Sequence, residues 1–253
     1  MSSIATAAMT TVGSQHEALV AQPTITYPSL KDVRVHTFSL SACVQRRTEL
    51  LGQLSAAEQE RAQQIRNASR RIGFVASRAL LREVLTDFTG NTVGRKQWVF
   101  DTGAFGKPQI LVPDMPALHF TISYTTDLLV IAVSEKYELG VDIEAIPPQI
   151  DRTIPWQVLS SAERRALHSL PVDEQFVEFL RLWTLKEAYT KYFGFGVALD
   201  FRGIEIDLGP LQASAADMPR DARLADPVLH QQLLHIGGQD VVLALAAGRR
   251  RSE

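Results

Sequence analysis

A chain of 253 residues, 45% of them hydrophobic and 21% charged, has enough apolar material for a sizeable core, as one domain or as two small ones. Its formal net charge of −2 excludes an overall electrostatic pull toward nucleic acid, so any basic site has to be local. The single cysteine, Cys43, excludes a disulfide framework and a thiolate metal centre, and fits a reducing, cytoplasmic setting.

Residues 1–30, rich in Ala, Ser and Thr, carry neither a basic segment nor a long apolar run. They are expected to be a mobile lead-in, not a signal peptide or a membrane span. Val33 to Phe38 then alternates as a strand. Leu54-Ser55-Ala56-Ala57-Glu58 is a capping box, in which Ser55 accepts from the third helical N–H and Glu58 reaches back to the cap. The amphipathic helix beyond it carries Phe74 and Arg82-Glu83. A strand is expected around Gln97 to Phe100, and a hairpin from His119 to Tyr124, through Thr125-Thr126-Asp127, into Leu128 to Ser134.

The same order then returns. Gly140 to Ile146 reads as a strand, and Leu159-Ser160-Ser161-Ala162-Glu163 as a second capping box. The amphipathic helix that follows carries Phe179 and Lys186-Glu187. Leu159 follows Leu54, and Phe179 follows Phe74, by the same interval, 159 − 54 = 179 − 74 = 105 residues. A strand is expected at Gly203 to Leu208. A hairpin should run from Leu233 to Ile236, through Gly237-Gly238-Gln239-Asp240, into Val241 to Ala246, where Gly-Gly supplies the positive φ of a tight turn. The closing Arg249-Arg250-Arg251 reads as a frayed, solvated tail. Strand, helix, helix, strand, hairpin, twice over, predicts an α+β fold of two similar halves in pseudo-twofold relation, over 31–134 and 135–253.

The halves differ chemically. Gly140-Val141-Asp142-Ile143-Glu144 puts Asp142 and Glu144 on one face of its strand, where the first half has Arg34 and His36. In Trp183-Thr184-Leu185-Lys186-Glu187-Ala188-Tyr189-Thr190-Lys191, Glu187 falls on the stripe of Phe176, Leu180 and Trp183, which should be buried. A carboxylate there is costly unless something positive compensates it. Three carboxylates with no His or Cys nearby suit a hard cation such as Mg²⁺. The plainer alternatives are a solvated strand face for Asp142 and Glu144, and an ordinary i,i+4 ion pair for Glu187 with Lys191.

Gly-Val-Asp-Ile-Glu at 140–144 followed by Trp-Thr-x-Lys-Glu-Ala-x-x-Lys at 183–191 resembles the two signature motifs of the Sfp-type 4′-phosphopantetheinyl transferase family. Supporting matches are Gly106-Lys107-Pro108, Phe120-Thr121-Ile122-Ser123 and the Leu-x-x-x-Glu at 159–163, so the resemblance spans about residues 50–210. It implies transfer of phosphopantetheine from coenzyme A to a serine of an acyl or peptidyl carrier protein, with release of 3′,5′-ADP. It also implies that Asp142, Glu144 and Glu187 hold Mg²⁺, leaving open whether Mn²⁺ substitutes, and that Asp142 lies against the coenzyme. Glu187 would be the base for the serine hydroxyl, directly or through a metal-bound water, and Lys191 would neutralise the phosphate and serve the leaving group. Lys107 and Pro108 would meet the adenine side, Ser123 and Tyr124 the pyrophosphate, and Arg61 with Arg71 or Arg70 the 3′-phosphate. Glu163 would be either a further acidic group near the nucleophile or only the cap residue. Lys186 matches the motif with an unassigned role, and Trp183 is expected to pack. The partners implied are carrier domains of fatty acid, polyketide or nonribosomal peptide synthesis, with no nucleic acid and no membrane. A duplicated chain already contains its own interface, so a monomer is expected.

Two departures stand out. Where the family usually has Ser-His-Ser the chain has Ser123-Tyr124-Thr125, and tyrosine donates a hydrogen bond but cannot become cationic. Where the family often has Arg before the helix Phe, the chain has Gly73. A Mg²⁺-dependent hydrolase of pyrophosphate compounds, or a non-catalytic binder of carriers or nucleotides, are the alternative readings.

Overall fold

The computed structural model describes residues 20–102, 108–112, 117–147, 153–194, 200–215 and 223–250. In chain order they form β1 (Val20–Tyr27), β2 (Leu30–Ser39), α1 (Leu40–Gln45), α2 (Arg47–Leu51), α3 (Ala56–Gln64), α4 (Ala68–Phe88), β3 (Phe100–Thr102), β4 (Pro108–Ile110), β5 (His119–Tyr124) and β6 (Leu128–Ser134). They continue as β7 (Glu138–Ala145), α5 (Ser161–His168), α6 (Val172–Phe193), β8 (Glu205–Asp207), β9 (Gln212–Ser214), β10 (Val228–Ile236) and β11 (Gln239–Gly248).

Both capping boxes form as the spacing demands. Ser55 caps α3 and Ser160 caps α5, each with its Glu returning to the cap N–H. Asn67 caps α4 through its side chain, and Gly194, at φ +81°, ends α6 in the left-handed conformation. Gly237 and Gly238 lie at φ +60° and +82°, which is a two-residue type I′ turn. That turn is tighter than expected, because Gln239 and Asp240 already pair with Ile236 and His235. β10 also starts earlier than expected, at Val228. The His230-Gln231-Gln232 run hid it, since its polar side chains break the apolar alternation.

The lead-in does not extend to residue 30. Val20–Tyr27 is a strand, paired antiparallel with β2 through Ile25↔Val35 and Thr26↔Arg34. Three β-branched residues, Thr24, Ile25 and Thr26, favour the extended backbone, and an open β2 edge would otherwise stand unpaired. Arg249 and Arg250 are likewise less free than expected. Arg250 bonds Glu138 at 2.8 Å and bridges Leu224.

The first sheet runs β1-β2-β6-β5 and the second β10-β11-β7, so the order β2-β6-β5 is repeated as β7-β11-β10. Each half adds a short two-stranded ribbon, β3-β4 and β8-β9. The central strands are buried on both faces. On β6, Leu129, Ile131 and Val133 face the helices of the first half, while Leu128, Val130 and Ala132 face the second sheet. On β11, Val242, Ala244 and Ala246 face α6, while Val241, Leu243 and Leu245 join the shared core. The two sheets are thus joined face to face by one apolar layer, with helices on the outside. β7 contributes Leu139, Val141 and Ile143 to that layer, and strand alternation turns Gly140, Asp142 and Glu144 the other way, toward α6. No helix among the described residues is long and apolar enough to cross a membrane.

Candidate active site

The site begins with a missing side chain. A Cβ on Gly140 would stand 1.9 Å from the carbonyl oxygen of Ala188 and 2.5 Å from the backbone nitrogen of Tyr192. Only glycine lets α6 lie this close to β7, and that approach carries the polar face of α6 onto the carboxylates of the strand. Sequence reasoning did not single out Gly140 for this role. Its signal was available, since a glycine inside a strand often marks close backbone approach.

Lys191 reaches across to β7. Its Nζ lies 2.6 Å from Asp142 Oδ1 and 3.0 Å from Ser123 Oγ, while the Ser123 hydroxyl donates to the same Asp142 oxygen at 2.7 Å. Lysine, serine and aspartate therefore close a triangle across three elements, with Ser123 supplied by β5 of the other half. The bridge between halves is reinforced where Val141 N–H donates to Thr121 Oγ1 at 3.3 Å. Asp142 is 4% exposed and Glu187 7% exposed, so neither belongs to a solvated face.

Glu144 accepts a hydrogen bond from the Trp183 indole at 3.1 Å. Trp183 packs against Phe179 and Phe201 as expected, and it additionally orients a site carboxylate. Burial pushes Glu144 up to about 7, and Asp142 and Glu187 add to the shift, against the indole bond and Lys191. Burial likewise raises Glu187, with Asp142 acting in the same direction and Lys191 opposing it. The three carboxylates thus share one electrostatic neighbourhood. Among the described residues no three His, Cys, Asp or Glu side chains are gathered into a metal-coordinating cluster. The chemistry of the donors still fits a hard divalent cation: carboxylate oxygens only, with Oδ2 of Asp142 buried and lacking a hydrogen-bond partner.

Lys186 and Glu163 are elsewhere. Lys186, 0% exposed, donates to Glu163 at 2.6 Å and to the carbonyls of Phe201 and Val158 at 2.9 and 3.2 Å. Glu163 also accepts from Ile206 N–H at 2.9 Å. This pair ties α5, α6 and β8 together, so the capping role of Glu163 holds and Lys186 is a structural cation. Arg82 and Glu58 make the corresponding bond in the first half, at 2.8 Å.

A largely basic cavity of about 1010 Å³ is lined by Arg61, Arg70, Phe74, Arg78, Arg82 and Lys96, with Glu58 and Asp101 among its other residues. A smaller cavity of about 360 Å³ reaches Glu144, and the two share Arg70 and Tyr124. Arg61 lines the large cavity, whereas Arg71 does not. The i,i+4 series 70, 74, 78, 82 selects one face of α4, and residue 71 sits about 100° around from it. That periodicity was the signal for Arg78, which sequence reasoning did not single out. Lys96, outside that series, had no such signal. Pro108 lines a third cavity of about 280 Å³ with His119, Glu138 and Arg250, apart from Arg61. Lys107 lies outside the described residues.

Residues 138–246 match the family model described as the 4′-phosphopantetheinyl transferase superfamily. The 4′-phosphopantetheinyl transferase HetI of Nostoc sp. (strain PCC 7120 / SAG 25.82 / UTEX 2576) is 31% identical over 202 residues, covering 78% of this chain and 83% of that protein. The 4′-phosphopantetheinyl transferase psf-1 of Bacillus pumilus is 36% identical over 138 residues, covering 53% of this chain and 58% of its own. The 4′-phosphopantetheinyl transferase pptA of Paxillus involutus is 32% identical over 155 residues, covering 54% and 56%. The chain therefore aligns with most of the first relative and with a little over half of the other two.

Proposed function

The chain belongs to the 4′-phosphopantetheinyl transferase superfamily, and we propose that the cleft between β7 and α6 is where it moves phosphopantetheine from coenzyme A to a serine of a carrier protein. The observation that supports this assignment is Lys191 held 2.6 Å from Asp142, with Glu144 and Glu187 in the same electrostatic neighbourhood and Glu144 reached by a cavity that shares Arg70 and Tyr124 with the basic one.

The bond that forms joins the carrier's serine oxygen to the phosphorus bearing pantetheine. The bond that breaks joins that phosphorus to the bridging oxygen, which leaves with 3′,5′-ADP. Glu187 takes the hydroxyl proton. Its burial supports that role, because a carboxyl raised toward neutrality is a better-matched base than an exposed one. Lys191 offers positive charge, and a proton, to the departing oxygen, and Ser123 with Asp142 fixes its ammonium group. Asp142, Glu144 and Glu187 would hold Mg²⁺, or Mn²⁺ in its place, and the ion when bound supplies charge neutralisation at the pyrophosphate. Arg61 and Lys96 pair with no carboxylate among the described residues, which leaves them available to the 3′-phosphate. The same basic region is our candidate for docking an acidic carrier surface, in a cytoplasmic monomer.

Product analysis tests the reading. Release of 3′,5′-ADP in equal number to modified carriers, and only when carrier is present, is the expected result. Pyrophosphate cleavage without carrier would mean a hydrolase. No cleavage at all, under conditions where coenzyme A binds, would mean a binding module.

A further inference from the structure

Tyr124 ends β5 with 42% of its surface exposed, and its ring rests on Gly73 of α4. A Cβ on Gly73 would stand 2.7 Å from Cε2 of that ring, 2.9 Å from Cδ2 and 3.3 Å from Cζ. Any side chain at 73 would therefore displace the ring. Gly73 lies within a 21-residue helix and is not among the positive-φ glycines, so the backbone there does not require glycine. Helix interiors disfavour glycine, which leaves packing as the physical reason for it. The packing partner is informative. Tyr124 and Arg70 are the two lining residues that the basic cavity shares with the cavity reaching Glu144. A ligand lying from one to the other passes the Tyr124 ring.

We propose that Gly73 is a positioning residue: it is the seat that holds Tyr124 across this passage, so that the phenol donates to the diphosphate of bound coenzyme A. The two departures from the family pattern are then one feature, a ring at 124 accommodated by the lack of a side chain at 73. The inference rests on the transferase reading above.

A double-mutant cycle of G73A, Y124A and G73A/Y124A tests it, with kcat and KM for coenzyme A, the calorimetric Kd for coenzyme A, and the melting temperature of each protein. G73A should raise KM and Kd about fivefold or more with kcat within about twofold and no loss of melting temperature, because only ground-state binding is disturbed. In the Y124A background the same substitution should change neither KM nor Kd, since the ring it displaces is gone. An unchanged KM in G73A, or a penalty that adds in full to that of Y124A, would overturn the inference while leaving the transferase reading intact. Should G73A fail to fold, G73A/Y124A must recover folding, and its failure to do so would place the obstacle in the helix and sink the idea. A wild-type protein that neither binds coenzyme A nor releases 3′,5′-ADP would instead remove the transferase reading, and this inference with it.

Discussion

Two lysines five positions apart on α6 show how burial and partners divide the work of one helix. Lys186 is wholly enclosed, and burial lowers its pKa against the pull of Glu163. Lys191 keeps 25% of its side chain exposed and reaches Asp142. Removing Lys186 as K186M strands a buried carboxylate, so unfolding free energy in urea should fall by about 3–5 kcal/mol, with lost activity only a consequence. A stability equal to wild type would refute the structural role. K191M should act chiefly on the chemistry. Its turnover should fall by about 10²–10³ because a charge aimed at the leaving group is lost, while its stability should fall less than that of K186M, because Lys191 is partly exposed and Ser123 still donates to Asp142. A K191M protein with wild-type kcat would remove Lys191 from the chemistry.

At the scale of elements, the contact between α6 and β7 decides whether the site exists. G140A puts a methyl group into the backbone of Ala188 and Tyr192. It should cost about 1–3 kcal/mol or more, and should depress transfer by separating Lys191 from Asp142. Wild-type stability and activity in G140A would show that the close approach is dispensable. A second contact, between the outer strands β1 and β10, carries a pH dependence. The rings of Tyr27 and His230 meet there at a 50° tilt with centroids 5.0 Å apart, and burial lowers the His230 pKa. Below the unfolded value, about 6.5, the unfolded chain takes up a proton that the folded chain resists, so this share of stability is full above that pH and lost as pH falls through it. H230Q should therefore flatten the decline in melting temperature between pH 7 and pH 5, and an unaltered slope would count against the assignment. Local signals were legible where the chemistry is local: both capping boxes, the alternation that sets Asp142 and Glu144 on one face, and the α6 stripe that buries Glu187. What depended on a partner surface was not. β1 was missed because its partner edge lies in β2, Arg71 was preferred to Arg70 because the face of α4 was not chosen, and Glu163 with Lys186 needed the fold to bring α5 and α6 together.

Across the whole molecule, a chain of net charge −2 concentrates basic groups in one cavity and acidic groups where β7 meets α6, and Arg70 and Tyr124 line both that cavity and the smaller one that reaches Glu144. The shared apolar layer of β6, β7 and β11 fixes one sheet against the other, and Ser123 of the first half completes the charge triangle of the second. We regard the half from β1 to β6 and the half from β7 to β11 as a single working unit on that ground. The central claim, group transfer to a carrier, is tested most directly by the intact mass of an apo-carrier domain after incubation with the protein, coenzyme A and Mg²⁺, with and without EDTA. The expected result is a carrier heavier by one phosphopantetheine, with the gain abolished by EDTA. Carriers from fatty acid, polyketide and nonribosomal peptide systems that all stay unmodified, while the protein still binds coenzyme A, would contradict it.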